Sequence, residues 1–163
     1  MPPLRLRARW VVPVEGDPVS DGAVLADAAG RIVAVGPDAA VPAPDGVTRQ
    51  DLGNSALLPG LVNTHTHLEL TALRGLVPGM AFPRWIATIR RVKDAMSPAQ
   101  FRSGARWGVL EHFAQGATTI GDTGSTGEAA MAMADLGGRG VAYQEVFGPD
   151  RSEERRVGKE CRL

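Results

Sequence analysis

Beyond Pro59 the sequence alternates short apolar runs with segments of helical periodicity, and this constrains the fold more than any other feature. Residues 61–67 read as a short buried strand. In residues 83–96, Trp85, Ile89, Val92 and Met96 recur at helical spacing, giving an amphipathic helix. Ser97-Pro98-Ala99-Gln100 has the form of a capping box, with serine at the N-cap, proline at the first position and glutamine three residues on. The helix it opens runs to about Gln115 and stops at Gly116, a residue suited to the position after a helix end. Residues 117–121 (ATTIG) are a second buried strand, followed by Asp122-Thr123-Gly124. A third helix spans residues 126–136, closed by Gly137-Gly138, and residues 141–147 (VAYQEVF) form a third strand. Strand, helices, strand, helix, strand implies parallel βαβ units with right-handed crossovers.

The residues before this have a different texture. Residues 4–14 begin by alternating leucine and arginine, as in a strand with one solvated face, and Arg5, Arg7 and Arg9 mark it as a charged edge strand. Residues 22–36 form a hairpin turning at Asp27-Ala28-Ala29-Gly30, where glycine can take positive φ. Residues 37–46 are a proline-rich loop. Residues 47–52 make a further strand, and residues 56–58 lead into Pro59-Gly60. The first 57 residues are a small all-β segment without catalytic residue types.

Formal net charge is zero over 163 residues, which gives no electrostatic basis for binding nucleic acid or an acidic membrane surface. Cys161 is the single cysteine, so neither an internal disulfide nor a C-x-x-C metal site is expected. No run approaches the roughly 20 apolar residues of a membrane span, and residues 1–7 lack the apolar core of a signal peptide. The expectation is a cytoplasmic protein with a small-molecule substrate. Residues 151–163 stand apart, with eight charges in thirteen positions and the only cysteine. They read as a charged, solvated tail or, in our preferred reading, as translated sequencing-adapter sequence. On that reading the natural sequence stops near Asp150 and the chain is truncated.

Two of the three histidines lie in Pro59-Gly60-Leu61-Val62-Asn63-Thr64-His65-Thr66-His67-Leu68-Glu69. On a strand the side-chain period is 2, so His65 and His67 share a face, and Glu69 has the same parity. Two imidazoles at that spacing can reach one metal ion. The plainer alternative is a pair of hydrogen-bonded histidines at a strand end. Glu69, Asp122 and Glu145 fall at expected strand ends, where α/β folds carry their sites. Asp122 and Glu145 are explained equally well by loop and capping hydrogen bonds.

The order of these pieces resembles the amidohydrolase superfamily, in its metal-dependent deaminase and chlorohydrolase branch. That branch includes cytosine, adenosylhomocysteine and aminofutalosine deaminases. The resemblance covers about residues 20–150 and rests on RIVAVG, LLPGLVNTHTH, HLELTALRG, EHFAQGATTIGDTG and RGVAYQEVFG. It implies an α/β fold, the first three βα units of a TIM-type (β/α)8 barrel in residues 58–150, preceded by a β-sandwich segment in residues 1–57. It also implies that His65 and His67 are metal ligands, for Zn2+ or alternatively Fe2+. The remaining ligands and the proton-moving residues are expected beyond the chain's end. The mid-helix His112 does not replace them.

The implied activity is hydrolysis of a carbon–nitrogen bond, the deamination of a purine- or pyrimidine-like ring or nucleoside. A divalent ion brings the pKa of bound water from about 15.7 towards 7, and a carboxylate moves the proton so that ammonia can leave. The alternatives are chlorohydrolase or cyclic-amide hydrolase chemistry, or a fragment without activity. Glu69, Trp85 and Asp94 are candidate substrate-binding residues. Each has a plain counterpart: an exposed strand-end glutamate, a core aromatic and a solvated helix charge. The full-length parent is a candidate homo-oligomer.

Overall fold

The computed structural model describes residues 2–146 and the backbone of residues 160–162. The chain divides into two units, Met1–Pro59 and Gly60–Leu163.

The first unit is one five-stranded sheet. Strands β1 (Leu4–Val11), β2 (Val19–Ala26), β3 (Ile32–Pro37), β4 (Thr48–Asp51) and β5 (Ala56–Leu57) are arranged with β2 antiparallel between β1 and β3, while β4 and β5 both run parallel to β1. The hairpin turn forms as expected. Asp27 Oδ1 accepts from the amides of Ala29 and Arg31, both at 2.9 Å, and Gly30 takes a φ of 79°. The edge-strand reading of β1 is corrected, because β1 lies inside the sheet. Its arginines meet carboxylates from distant segments: Arg5 reaches Asp38 at 2.7 Å, Arg7 reaches Asp51 at 2.6 Å and Arg9 reaches Asp21 at 3.0 Å. Their solvated face is therefore an ion-pair ladder.

The second unit is mixed α/β. Parallel strands β6 (Leu61–Thr66), β7 (Ala117–Gly124) and β8 (Arg139–Gln144) lie side by side in that order, and β9 (Glu160–Arg162) pairs antiparallel with β8. The expected third strand is shorter than residues 141–147 at its far end, and Phe147 lies outside the described residues, as does most of the 151–163 tail. A 3-10 helix, Leu68–Leu73, follows β6 directly. Helices α1 (Phe82–Asp94) and α2 (Pro98–Ala114) complete the connection to β7, and α3 (Glu128–Leu136) connects β7 to β8. Both halves of the Ser97–Gln100 capping box are present.

The core follows the two periodicities. Ile120 on β7 is fully buried against Val109 and Ala105 of α2 and Ala132 and Met133 of α3, together with Leu68. Small residues let α2 approach the 3-10 helix. A Cβ at Gly104 would lie 2.8 Å from Ala72 Cβ, and one at Gly108 would lie 2.8 Å from Thr71 Oγ1. β6 differs from the buried strand expected. It pairs with β7 on one side only among the described residues, and Leu61 and Val62 are 58% and 63% exposed.

Candidate functional site

β6 carries His65 one residue before its end and His67 one residue after it. The ring centroids are 5.0 Å apart with planes at 87°. His67 Nδ1 lies 2.5 Å from the carbonyl oxygen of Thr123 on β7. A carbonyl can only accept, so Nδ1 carries the proton and donates it, leaving the Nε2 lone pair for a ligand. The side chain of Asn63 turns back on the chain and accepts from the His65 amide at 3.1 Å.

The donors suit a first-row divalent ion such as zinc, which takes neutral imidazole nitrogen. The fit extends to two ligands. Among the described residues no group of three or more His, Cys, Asp or Glu side chains converges as a metal site would need. His112 supplies no third ligand, because both its nitrogens are engaged. Nδ1 donates to the Gly108 carbonyl at 2.7 Å, and Nε2 accepts from Asn63 Nδ2 at 2.7 Å.

Glu69 is placed differently from the parity expectation. Extended geometry stops at Thr66, and Glu69 falls in the 3-10 helix, 1% exposed. Its Oε1 accepts from Lys93 Nζ at 2.5 Å, Ser125 N at 3.2 Å and Ser125 Oγ at 3.0 Å. Its Oε2 accepts from Thr126 N at 3.2 Å and Thr126 Oγ1 at 2.7 Å. Burial alone would raise the Glu69 pKa, but these donors, Lys93 and Thr126 foremost, hold it below the ordinary carboxylate value. Glu69 thus joins the segment after His67 to the end of α1 and to the β7–α3 loop.

Asp122, two residues before the end of β7, is buried. Its Oδ1 accepts from the Leu68 amide at 2.6 Å. Burial pushes its pKa up to about 6; the Leu68 bond works against the shift and the nearby Glu69 charge adds to it. Arg74 forms a two-point ion pair with Glu111 on α2.

One cleft of about 380 Å³ brings His67, Trp85, Asp94 and Glu145 together, with Lys93 and Ser125 between them. Helix α1 contributes half-buried Trp85 and Ile86 and buried Ile89 as apolar lining, beside its charged Arg90, Lys93 and Asp94. Asp94, at the last turn of α1, is exposed. A second groove, of about 470 Å³ between the 3-10 helix, α1 and α2, has neither histidine among its lining residues and includes Ala72, Leu76 and Met96. The chemistry-bearing groups favour the first.

Sequence reasoning missed Lys93, Ser125, Thr123 and the Asn63–His112 pair. Only Lys93 had left a signal, as one of two lysines in an arginine-rich chain.

A model of the amidohydrolase family matches residues 56–157, which include both histidines, α1, α2 and all of β7 and β8. The chain belongs to the amidohydrolase family. This amidohydrolase is 37% identical over 133 residues to a 5-methylthioadenosine/S-adenosylhomocysteine deaminase of Nitratidesulfovibrio vulgaris, covering 80% of the chain and 30% of that relative. It is 34% identical over 142 residues to the Symbiobacterium thermophilum enzyme of the same name, covering 85% and 32%. Among solved structures, an adenosine deaminase from Xanthomonas campestris with bound zinc superposes with a TM-score of 0.75 at 30% identity, over 84% of this chain and 32% of that one. The triazine hydrolase of Arthrobacter aurescens shares the fold, with a TM-score of 0.78 at 24% identity over 93% and 37%. The amidohydrolase chain spans about a third of the length of the curated relatives it matches. Among the described residues no helix is long and apolar enough to cross a membrane.

Proposed function

We propose that the full-length protein is a metal-dependent hydrolase that removes an amino group from a purine- or pyrimidine-like ring or nucleoside. The observation that carries this reading is the pair His65 and His67, whose rings lie 5.0 Å apart where β6 ends. Zinc suits these donors, and iron(II) accepts the same set. When bound, such an ion supplies water activated at neutral pH. His65 and His67 hold the ion, and the Thr123 carbonyl fixes the His67 tautomer that allows it. Trp85, Ile86 and Ile89 offer apolar surface for a heteroaromatic ring, while Asp94 and Glu145 are placed to accept hydrogen bonds from the substrate's polar end. Glu69, with both oxygens already engaged, positions these parts rather than touching substrate.

The parallel order β6, β7, β8 and the likeness to the Xanthomonas structure support assigning the second unit to the opening βα units of a (β/α)8 barrel. The first unit is then the N-terminal part of a flanking β-sandwich. The names of the deaminase relatives support an amino leaving group and a nucleoside-like substrate. Two ligands are half a site, so the 163-residue chain by itself is expected to bind zinc weakly and to turn over nothing.

An ammonia-release screen on the zinc-loaded full-length protein tests the reading, using adenosine, 5′-substituted adenosines, cytosine and guanine. Release from at least one of these supports it. Turnover that frees chloride from a chlorotriazine, or opens a cyclic amide, with no ammonia from any aminated ring would replace deamination by that other hydrolysis.

A further inference from the structure

A much smaller cavity lies where β7 meets α3. It measures about 50 Å³ and is lined in part by Asp122, Gly124, Gly127, Ala129 and Ala130. Asp122 is wholly buried, and its Oδ2 has no hydrogen-bond partner among the described residues, although Oδ1 is held by Leu68. Gly124 leaves the space beside this oxygen open, since a Cβ there would lie 3.1 Å from Asp122 Oδ2 and 3.3 Å from Glu69 Oε2. On the other wall is the start of α3. Its N-cap is Gly127, in the left-handed conformation, and no side chain caps it. The Glu128 amide donates to Thr126 Oγ1 at 3.3 Å. The next two amides, of Ala129 and Ala130, lie in the first turn and have no acceptor within the helix.

The chemistry of the two walls selects the occupant. An anion would face the buried Asp122 carboxylate. A cation would face the positive end of the α3 dipole. A neutral molecule that donates to one wall and accepts from the other satisfies both, and a water molecule needs only about 10–15 Å³ of such space. We propose that an ordered water molecule occupies this cavity, donating to Asp122 Oδ2 and accepting from a first-turn amide of α3. Through Asp122 it links Leu68, the residue after His67, to α3, and so belongs to the support of the candidate metal ligand. The site stands whether or not the reaction is deamination.

A crystal structure of the full-length protein, at a resolution that defines ordered water, tests this directly. The expected result is a spherical density peak within hydrogen-bond distance of both Asp122 Oδ2 and the Ala129 or Ala130 nitrogen. An empty cavity, a cavity closed by a direct bond from an α3 amide to Oδ2, or one filled by another side chain would each overturn it.

Discussion

Lys93 Nζ lies 2.5 Å from Glu69 Oε1, and the glutamate it meets is almost wholly buried. The pair fixes the end of α1, the helix whose Trp85 and Ile89 form the cleft wall, to the segment that follows His67. Replacing Lys93 by Met leaves a buried carboxylate without its cation, and such a loss costs about 3 kcal/mol when other donors remain. Urea unfolding should show that loss. Hydrogen exchange should show a larger acceleration in residues 82–94 than in residues 117–124. Equal protection of α1 in both proteins would remove Lys93 from this role.

Asn63 and His112 form a hydrogen-bonded pair away from any metal role, because each His112 nitrogen already has a partner. His112→Ala should therefore lower stability by about 0.5–1.5 kcal/mol through the lost, partly buried hydrogen bond to Asn63. Zinc affinity of the full-length protein, measured by calorimetric titration, should stay at the wild-type value. A loss of affinity comparable to that of a His67 variant would make His112 a ligand.

Gly108 has no room for a side chain against Leu68 and Thr71, with Leu68 Cδ2 2.9 Å from the position of a Cβ. Gly108→Val should destabilise the protein by about 1–3 kcal/mol, through overpacking between α2 and the 3-10 helix. Denaturant unfolding of the purified variant reads this directly, and wild-type stability would show that the two elements separate easily.

Asp122 ties stability to pH. Its pKa in the folded state is raised from an ordinary 3.8 to about 6, so between these values the native state keeps a proton that the unfolded chain has released. Stability should fall as pH rises through that window, by about 3 kcal/mol at most. Asp122→Asn keeps the Leu68 bond and should flatten the dependence. Identical slopes from pH 4 to 7 in unfolding titrations of the two proteins would contradict the assignment.

These relationships differ in how far local sequence could reveal them. The Ser97–Gln100 box, the Asp27–Gly30 turn and the succession of β6, β7 and α3 depend on neighbours a few residues apart, and they were legible. The placement of β1 was not, because the partners of Arg5, Arg7 and Arg9 come from Asp38, Asp51 and Asp21, one to four dozen residues away. Glu69 misled because parity holds only while the backbone stays extended, and β6 gives way to a 3-10 turn after Thr66. Spacing alone put His65 and His67 near each other, and their rings do lie 5.0 Å apart, although His67 already sits past the end of β6. Selection of the Nε2 lone pair on His67 needed the Thr123 carbonyl, 56 residues on.

The central claim is that His65 and His67 together hold a metal ion. Elemental analysis of the purified full-length protein, beside its His65→Ala and His67→Ala variants, tests it most directly. The account predicts about one equivalent of zinc or iron in the wild type and a marked loss in each variant, since each loses one of the few ligands such a site has. Undiminished metal content in both variants, with their fold intact by circular dichroism, would contradict it.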